Sequence, residues 1–252
     1  MKSRHEPIIA VEGLGLTLGG NEILRQVNFS IDLRTEGQVQ GQVASIIGRS
    51  GIGKSQLFRC MAGLQPTTVW TVRVRCSDPG CDPMRPVRPG EVGVVPQDYI
   101  LLRHRTVSAN LNIAVHQAAD RKRATETLES GIENFGLREH LEKYPKKLSG
   151  GQRQRVSILQ QLVAGNRTIL MDEPFSGLDV ITLDKVLNVI HKTAMMDELN
   201  TIVLVSHDIE SSLSVSNTAI VLAKTQEGPA SVREVIDMSG MGLEFSDGVR
   251  DL

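Results

Sequence analysis

Apolar and polar positions alternate from Ile8 to Leu18 (IIAVEGLGLTL) and again from Glu22 to Ile31 (EILRQVNFSI), with Gly19-Gly20-Asn21 between them. Frequent β-branched residues on both sides of a turn whose glycines accept positive φ predict a pair of antiparallel strands. Val43-Ala44-Ser45-Ile46-Ile47 is a continuous apolar run ended by glycine, and LFRCMAGL beyond it has helical character, so this stretch reads as strand, glycine loop, helix. Two further apolar runs come later, Thr168 to Met171 ending in paired acids and Thr201 to Val205 ending in Ser-His-Asp. Three continuous apolar strands interleaved with helices predict a parallel sheet covered on both faces. Val107 to about Lys143 is patterned as helix, broken near Gly136 and closed by Pro145, which predicts a helical insertion. After His207 only a short tail is expected, without internal repeat, low-complexity tract or room for a regulatory domain.

Composition narrows the function classes. The 252 residues are 40% hydrophobic, enough for one main domain with at most a small satellite. A formal net charge of −1 and the lack of a long basic run give nucleic-acid binding no electrostatic support. The N-terminus lacks the apolar core of a signal peptide, and no apolar stretch approaches the roughly 20 residues of a membrane span, so a cytosolic chain is expected. Cys60, Cys76 and Cys81 are an odd set better suited to reduced thiols than to a disulfide framework. Cys76 and Cys81 bracket a Pro/Gly-rich loop, but zinc needs two further ligands and no such pair lies nearby.

Chemistry concentrates at the ends of the apolar runs. Gly48-Arg49-Ser50-Gly51-Ile52-Gly53-Lys54-Ser55 fits the G-x-x-x-x-G-K-[ST] phosphate loop, and Gln56 continues into its helix. Glycines let backbone N–H groups converge on a phosphate, the helix presents its positive N-terminus, Lys54 neutralises β/γ oxygens, and the Ser55 hydroxyl suits Mg²⁺. Asp172 ends the strand Ile169-Leu170-Met171 and is placed to hold Mg²⁺, while the adjacent Glu173 is placed to orient or deprotonate the attacking water. Taken alone, the acid pair reads equally well as the solvated start of a helix. Leu148-Ser149-Gly150-Gly151-Gln152 opens the helix QRQRVSILQQLVAG and offers a second anion cradle, although Ser149 also suits a plain N-cap.

LSGGQ shortly before an acidic strand, downstream of a phosphate loop, resembles the signature arrangement of the ATP-binding cassette (ABC) ATPases. That resemblance runs from about Ile8 to about Met238. It implies roles for further residues: Gln97, in Val94-Val95-Pro96-Gln97-Asp98, contacts Mg²⁺ and the water; Asp179, in Ser176-Gly177-Leu178-Asp179, belongs to the loop that pairs across a dimer; and His207 faces the γ-phosphate. It also implies an α/β cassette, with about 1–97 and 165–252 forming a β subdomain plus a RecA-like ATP core and about 98–164 forming a helical subdomain. Each ATP site is then shared between two copies, with Ser149, Gly150, Gly151 and Gln152 serving the partner's nucleotide, and integral-membrane permease subunits and a solute-binding protein are the implied partners. A chain of this kind sits at the inner face of the membrane. QDYILLRHRTV after Gln97 resembles importer ATPases of the nitrate, sulfonate and taurine group.

Departures from the family pattern are local. The position that ordinarily stacks an aromatic ring on adenine is Leu18, Gln160 and Gln161 stand where an Arg flanked by alanines is common, and Trp70 to Pro89 is irregular. A non-transport member acting as an assembly scaffold keeps the same motifs and is the main alternative. DNA-repair members need a long coiled coil for which there is no room between Ser55 and Ser149, and a small-molecule kinase has no use for LSGGQ or His207.

Overall fold

The computed structural model describes residues 7–33, 41–67, 71–75, 82–224 and 228–238. Cys76, Cys81 and Trp70 lie outside them. Strands β1 (Pro7–Leu18) and β2 (Asn21–Asp32) pair antiparallel around Gly19 and Gly20, whose φ values of 55° and 81° suit a two-residue hairpin turn. The alternation has the expected consequence: Ile9, Val11, Leu14, Leu24, Val27 and Ile31 are buried on one face. Two short strands, β4 (Val72–Arg75) and β5 (Met84–Pro86), extend this antiparallel edge.

The continuous apolar runs form the parallel part. β3 (Gln42–Ile47) lies beside β8 (Thr201–Ser206), then β7 (Thr168–Asp172), then β6 (Gly93–Val95), all parallel. Alternate residues of each strand enter opposite cores: Leu170, Val203 and Val205 pack with helix α1 (Lys54–Met61), whereas Ile169, Met171, Ile202 and Leu204 pack with α5 (Val180–Met195). Both faces are covered, which is why these runs are mostly apolar and why even their polar members Ser45 and Thr201 are buried.

The residues after His207 form structure rather than the expected short tail. Helix α6 (Ile209–Val215) leads into β9 (Thr218–Lys224), parallel to β3, and β10 (Ala230–Asp237), antiparallel to β9. The 10-stranded order is β5-β4-β1-β2-β10-β9-β3-β8-β7-β6, so the last two strands join the antiparallel and parallel parts. The join to β2 is one register pair, Ala230 with Leu24. Ile220, Leu222 and Ala230 are buried in the same cluster as Leu24, so burial rather than a long ladder secures that seam.

Between β6 and β7 come α2 (Val107–Gln117), α3 (Arg121–Asn134), single 3₁₀ turns at Arg138–His140 and Pro145–Lys147, and α4 (Gly150–Val163). Their apolar faces, including Leu111, Phe135, Leu137, Ile158 and Leu159, continue the core beneath α5. The two unusual glutamines have local tasks. Gln160 Nε2 donates to the Asn110 carbonyl at 3.0 Å, tying α4 to α2, and Gln161 Oε1 accepts from Asn166 Nδ2 at 3.2 Å.

Candidate active site

The ends of β3, β7 and β8 converge on one cluster. The loop from Gly48 to Gly53 turns β3 into α1, and Gly53 takes φ 109° at the N-cap, a conformation that a side chain would strain. Gly48 is required for a second reason: a Cβ there would lie 2.9 Å from the Leu222 carbonyl oxygen of β9. Ile52 is buried beneath the loop, while Arg49, Ser50, Gly51 and Ser55 are exposed above it. Lys54 curls back and donates to the carbonyls of Gly48 at 2.8 Å and Arg49 at 3.2 Å. Burial pushes its ammonium below the ordinary lysine range, against which the charges of Glu173 and Asp172 act.

Asp172 closes β7 with one carboxylate oxygen, Oδ1, buried and without a hydrogen-bond partner. Burial and then the Glu173 charge push this acid above its usual range, with Arg59 and Lys54 opposing the shift. A buried acceptor with no donor fits a cation, so the donor set suits Mg²⁺. Gln56 Oε1 is likewise buried without a partner.

Glu173 has φ 48°, a left-handed conformation rare for a non-glycine residue, and its N–H donates to the Val205 carbonyl at 2.8 Å. Its Oε2 accepts from Ser206 Oγ at 3.2 Å and the His207 N–H at 3.3 Å, and lies 2.7 Å from His207 Nδ1. The histidine ring is therefore oriented by the acid beside it. No sequence motif points to Ser206. Its role depends on register between β7 and β8, where Asp172 pairs with Val205, and local pattern does not encode that register.

Gln97 comes after β6 and donates through Nε2 to Ser176 Oγ at 3.3 Å, so it is held beside the loop after Glu173. Tyr99 reinforces the link by donating to the Pro174 carbonyl at 3.4 Å, and burial pushes its phenol up to about 12. Leu18 ends β1, half-buried against the core next to Ile23. Cys60, in α1, is buried, and burial pushes its thiol up to about 11, which disfavours the thiolate.

The signature residues form a second group. Ser149 caps α4 in a reciprocal box: Gln152 N–H donates to Ser149 Oγ at 3.2 Å, and Ser149 N–H donates to Gln152 Oε1 at 2.9 Å. Both the cap and the anion-cradle readings fit, because a cap aims the same N–H groups outward. A Cβ on Gly150 would meet nothing within 4 Å, and one on Gly151 only Thr182 Cγ2 at 3.6 Å, so the helix start is open to an approaching group. Asp179 caps α5, accepting from Thr182 N at 3.0 Å and from Thr182 Oγ1 at 2.7 Å. Thus Lys54, Asp172, Glu173 and His207 interact among themselves, whereas Ser149 and Gln152 engage each other on the helical segment.

A twisted parallel sheet with a phosphate loop after one strand and paired acids after another is the architecture of a phosphate-loop nucleoside triphosphatase. Residues 29–176 match the ABC transporter family model, and the chain belongs to that family. The aliphatic sulfonates import ATP-binding protein SsuB 2 of Agrobacterium fabrum is 34% identical over 215 residues, spanning 84% of this chain and 76% of that protein. The macrolide export ATP-binding/permease protein MacB of Shigella flexneri is 34% identical over 191 residues, 74% of this chain but 28% of that longer protein. Among solved structures, cbiO1 from Clostridium perfringens, part of the ABC transporter complex cbiONQ, superposes with a TM-score of 0.74 at 22% identity, covering 95% of this chain and 92% of that one. The dimeric ATP-binding cassette MJ0796 with ADP and Pi superposes at TM-score 0.65 and 23% identity, covering 91% and 98%. The chain is accordingly an ATPase, an ATP-binding subunit of ABC transporters, with relatives among both import and export systems.

Proposed function

We propose that this chain is the motor of a solute importer, hydrolysing ATP in sites shared between two copies and driving separate membrane permease subunits. The observation that supports the shared site most directly is the division of its residues into two groups: the phosphate loop, acids and histidine form one cluster, and the Ser149 helix start opens elsewhere. In a pair of such chains each helix start meets the other's phosphate loop.

Within one site Lys54 clamps the β/γ oxygens, and the N–H groups between Gly48 and Gly53 surround the phosphate. Ser55, Asp172 and Gln97 would hold Mg²⁺, which supplies positive charge to the transferring phosphoryl group. Glu173 takes the proton of the attacking water, and His207, held on its carboxylate, faces the γ-phosphate. Ser149, Gly150, Gly151 and Gln152, with Asp179 beside them, complete the partner's site. Gln97 and Tyr99 couple these residues to the helical segment, so closing around ATP moves the two parts together.

Import is favoured by the likeness to the sulfonate importer subunit over most of both chains, and a solute-binding protein is then expected on the permease. Among the described residues no helix is long and apolar enough to cross a membrane, and the path across it is assigned to a separate permease, with this chain at its cytoplasmic face. A groove of about 530 Å³ lined by Tyr99, Arg103, Lys146 and Arg153 lies beside Ile100, 74% exposed, and offers a surface for that contact. Co-purification with a membrane permease is the expected result; soluble partners alone would favour the assembly-scaffold alternative.

The shared site is tested by complementation in the Glu173→Gln background. Lys54→Ala removes a phosphate clamp and Ser149→Arg fills the signature cradle, so each variant alone has two defective sites. Mixed, they form a heterodimer in which one site carries both lesions and the other is whole. The mixture, and neither variant alone, is expected to give ATP-dependent crosslinked dimers holding one nucleotide. No gain on mixing would place the complete site within a single chain.

Leu18 gives a second test. If adenine rests there, Leu18→Tyr or Leu18→Trp tightens ATP binding by up to the 1–3 kcal/mol roughly available to base stacking. Titration showing no change or a loss would place the base elsewhere.

A further inference from the structure

Donor and acceptor accounting orients one side chain outside the phosphate chemistry. The Ser149 backbone N–H can only donate, and it donates to Gln152 Oε1. The amide's orientation is thereby fixed, with its NH₂ directed away from Ser149. There it meets His140, whose Nε2 lies 3.0 Å from Gln152 Nε2 in a partly buried contact. An amide NH₂ does not accept hydrogen bonds, so His140 Nε2 must accept and the ring proton sits on Nδ1. Lys143 Nζ also lies 2.9 Å from that Nδ1, and two donors cannot both be satisfied. Lys143 is exposed and its long side chain can turn to solvent at little cost, so it is the contact that gives way when Nδ1 carries the proton. Gln152 has no such freedom, because its other end closes the cap.

We propose that His140 is a positioning residue for ATP held between two chains: by accepting the Gln152 N–H it keeps the capping box closed and so aims the start of α4. With its oxygen accepting from the Gln152 N–H, the Ser149 hydroxyl keeps its own proton to donate outward to a phosphate oxygen. Loss of the His140 acceptor leaves the Gln152 amide held at its oxygen end only, by the Ser149 N–H, and this looser cap blurs that aim without touching the phosphate loop. This role of His140 rests on ATP being shared between two copies.

The test uses the full chain in the Glu173→Gln background, following ATP-dependent dimerisation and, separately, ADP affinity. Dimerisation of the reference chain itself reports on the shared site; if ATP does not dimerise it, that reading fails before His140 is judged. Given a reference dimer, His140→Leu removes the acceptor and is expected to raise the ATP concentration for half-dimerisation about two- to tenfold, the range for one hydrogen bond, with ADP affinity unchanged. His140→Gln places Oε1 at the reach of the imidazole Nε2 and is expected to restore the reference value. Should the Leu variant fold poorly, His140→Lys carries the same test, since an ammonium cannot accept and its stem extends to solvent. Reference-like dimerisation of the acceptor-free variants, or a Gln variant as impaired as they are, overturns the proposal.

Discussion

Glu173→Gln is expected to lower steady-state ATP turnover by about 10²-fold or more while ATP binding persists, because the amide keeps the shape of the carboxylate but not its basicity. The surroundings favour a clean outcome. An amide oxygen still accepts from Ser206 Oγ and the His207 N–H, and Glu173's left-handed backbone is held through its own N–H rather than its side chain. One electrostatic consequence accompanies the change. The Glu173 charge opposes the burial that pulls the Lys54 ammonium down, so its removal shifts Lys54 lower still, while relieving the upward push on Asp172. Phosphate release measured beside nucleotide titration separates the two effects, and light scattering is expected to show an ATP-dependent dimer. Turnover within a few-fold of the parent would require another base; a variant that stays monomeric with ATP and Mg²⁺ would rule out the paired-chain mechanism.

Lys54→Ala is expected to weaken ATP binding by about ten- to a hundredfold, the usual range for losing a hydrogen bond to a charged group. The effect on the fold is expected to be small. Lys54 is held by two carbonyls of its own loop, and the core beneath is formed by Leu57, Phe58 and Met61, which the substitution leaves in place. Removing the cation also strips Asp172 of a charge that favours its ionised form, so the proposed Mg²⁺ ligand becomes a poorer one at the same time. Calorimetric titration with and without Mg²⁺ measures the loss, and a melting temperature near that of the parent shows that it is local. Unchanged affinity would remove Lys54 from the phosphate site.

The sheet was legible because its parallel strands carry their burial on both faces: Val43 to Ile47 and Thr201 to Val205 are apolar but for the buried Ser45 and Thr201, and runs this short suit a strand better than a helix. The phosphate loop and acid pair were legible because their chemistry demands particular residues at fixed spacing. The region after His207 was not. Length is not the reason, since β9 and β10 are longer than β3 and β8; β10 is largely exposed or half-exposed (ASVREVID), so its alternation is too weak to mark it as a strand that joins the two parts of the sheet. Positioning contacts were invisible for another reason. Ser206 to Glu173 and His140 to Gln152 depend on strand register and on how a one-turn segment folds back onto α4, neither of which is written in local periodicity.

The phosphate loop is walled by a residue made late. Gly48 sits against the carbonyl of Leu222, yet Leu222 comes after it by most of the chain. During translation, at roughly 5–20 residues per second, the ribosome finishes the glycine loop roughly ten to thirty seconds before the strand that backs it. Lys54, Asp172, Glu173 and His207 all emerge in that interval, beside a β3 whose edge is still unpaired. A nascent chain therefore holds all four of these side chains before it holds the strand that walls Gly48. Only when β9 and β10 have been made can the ten strands close into one sheet, with β10 seamed to β2.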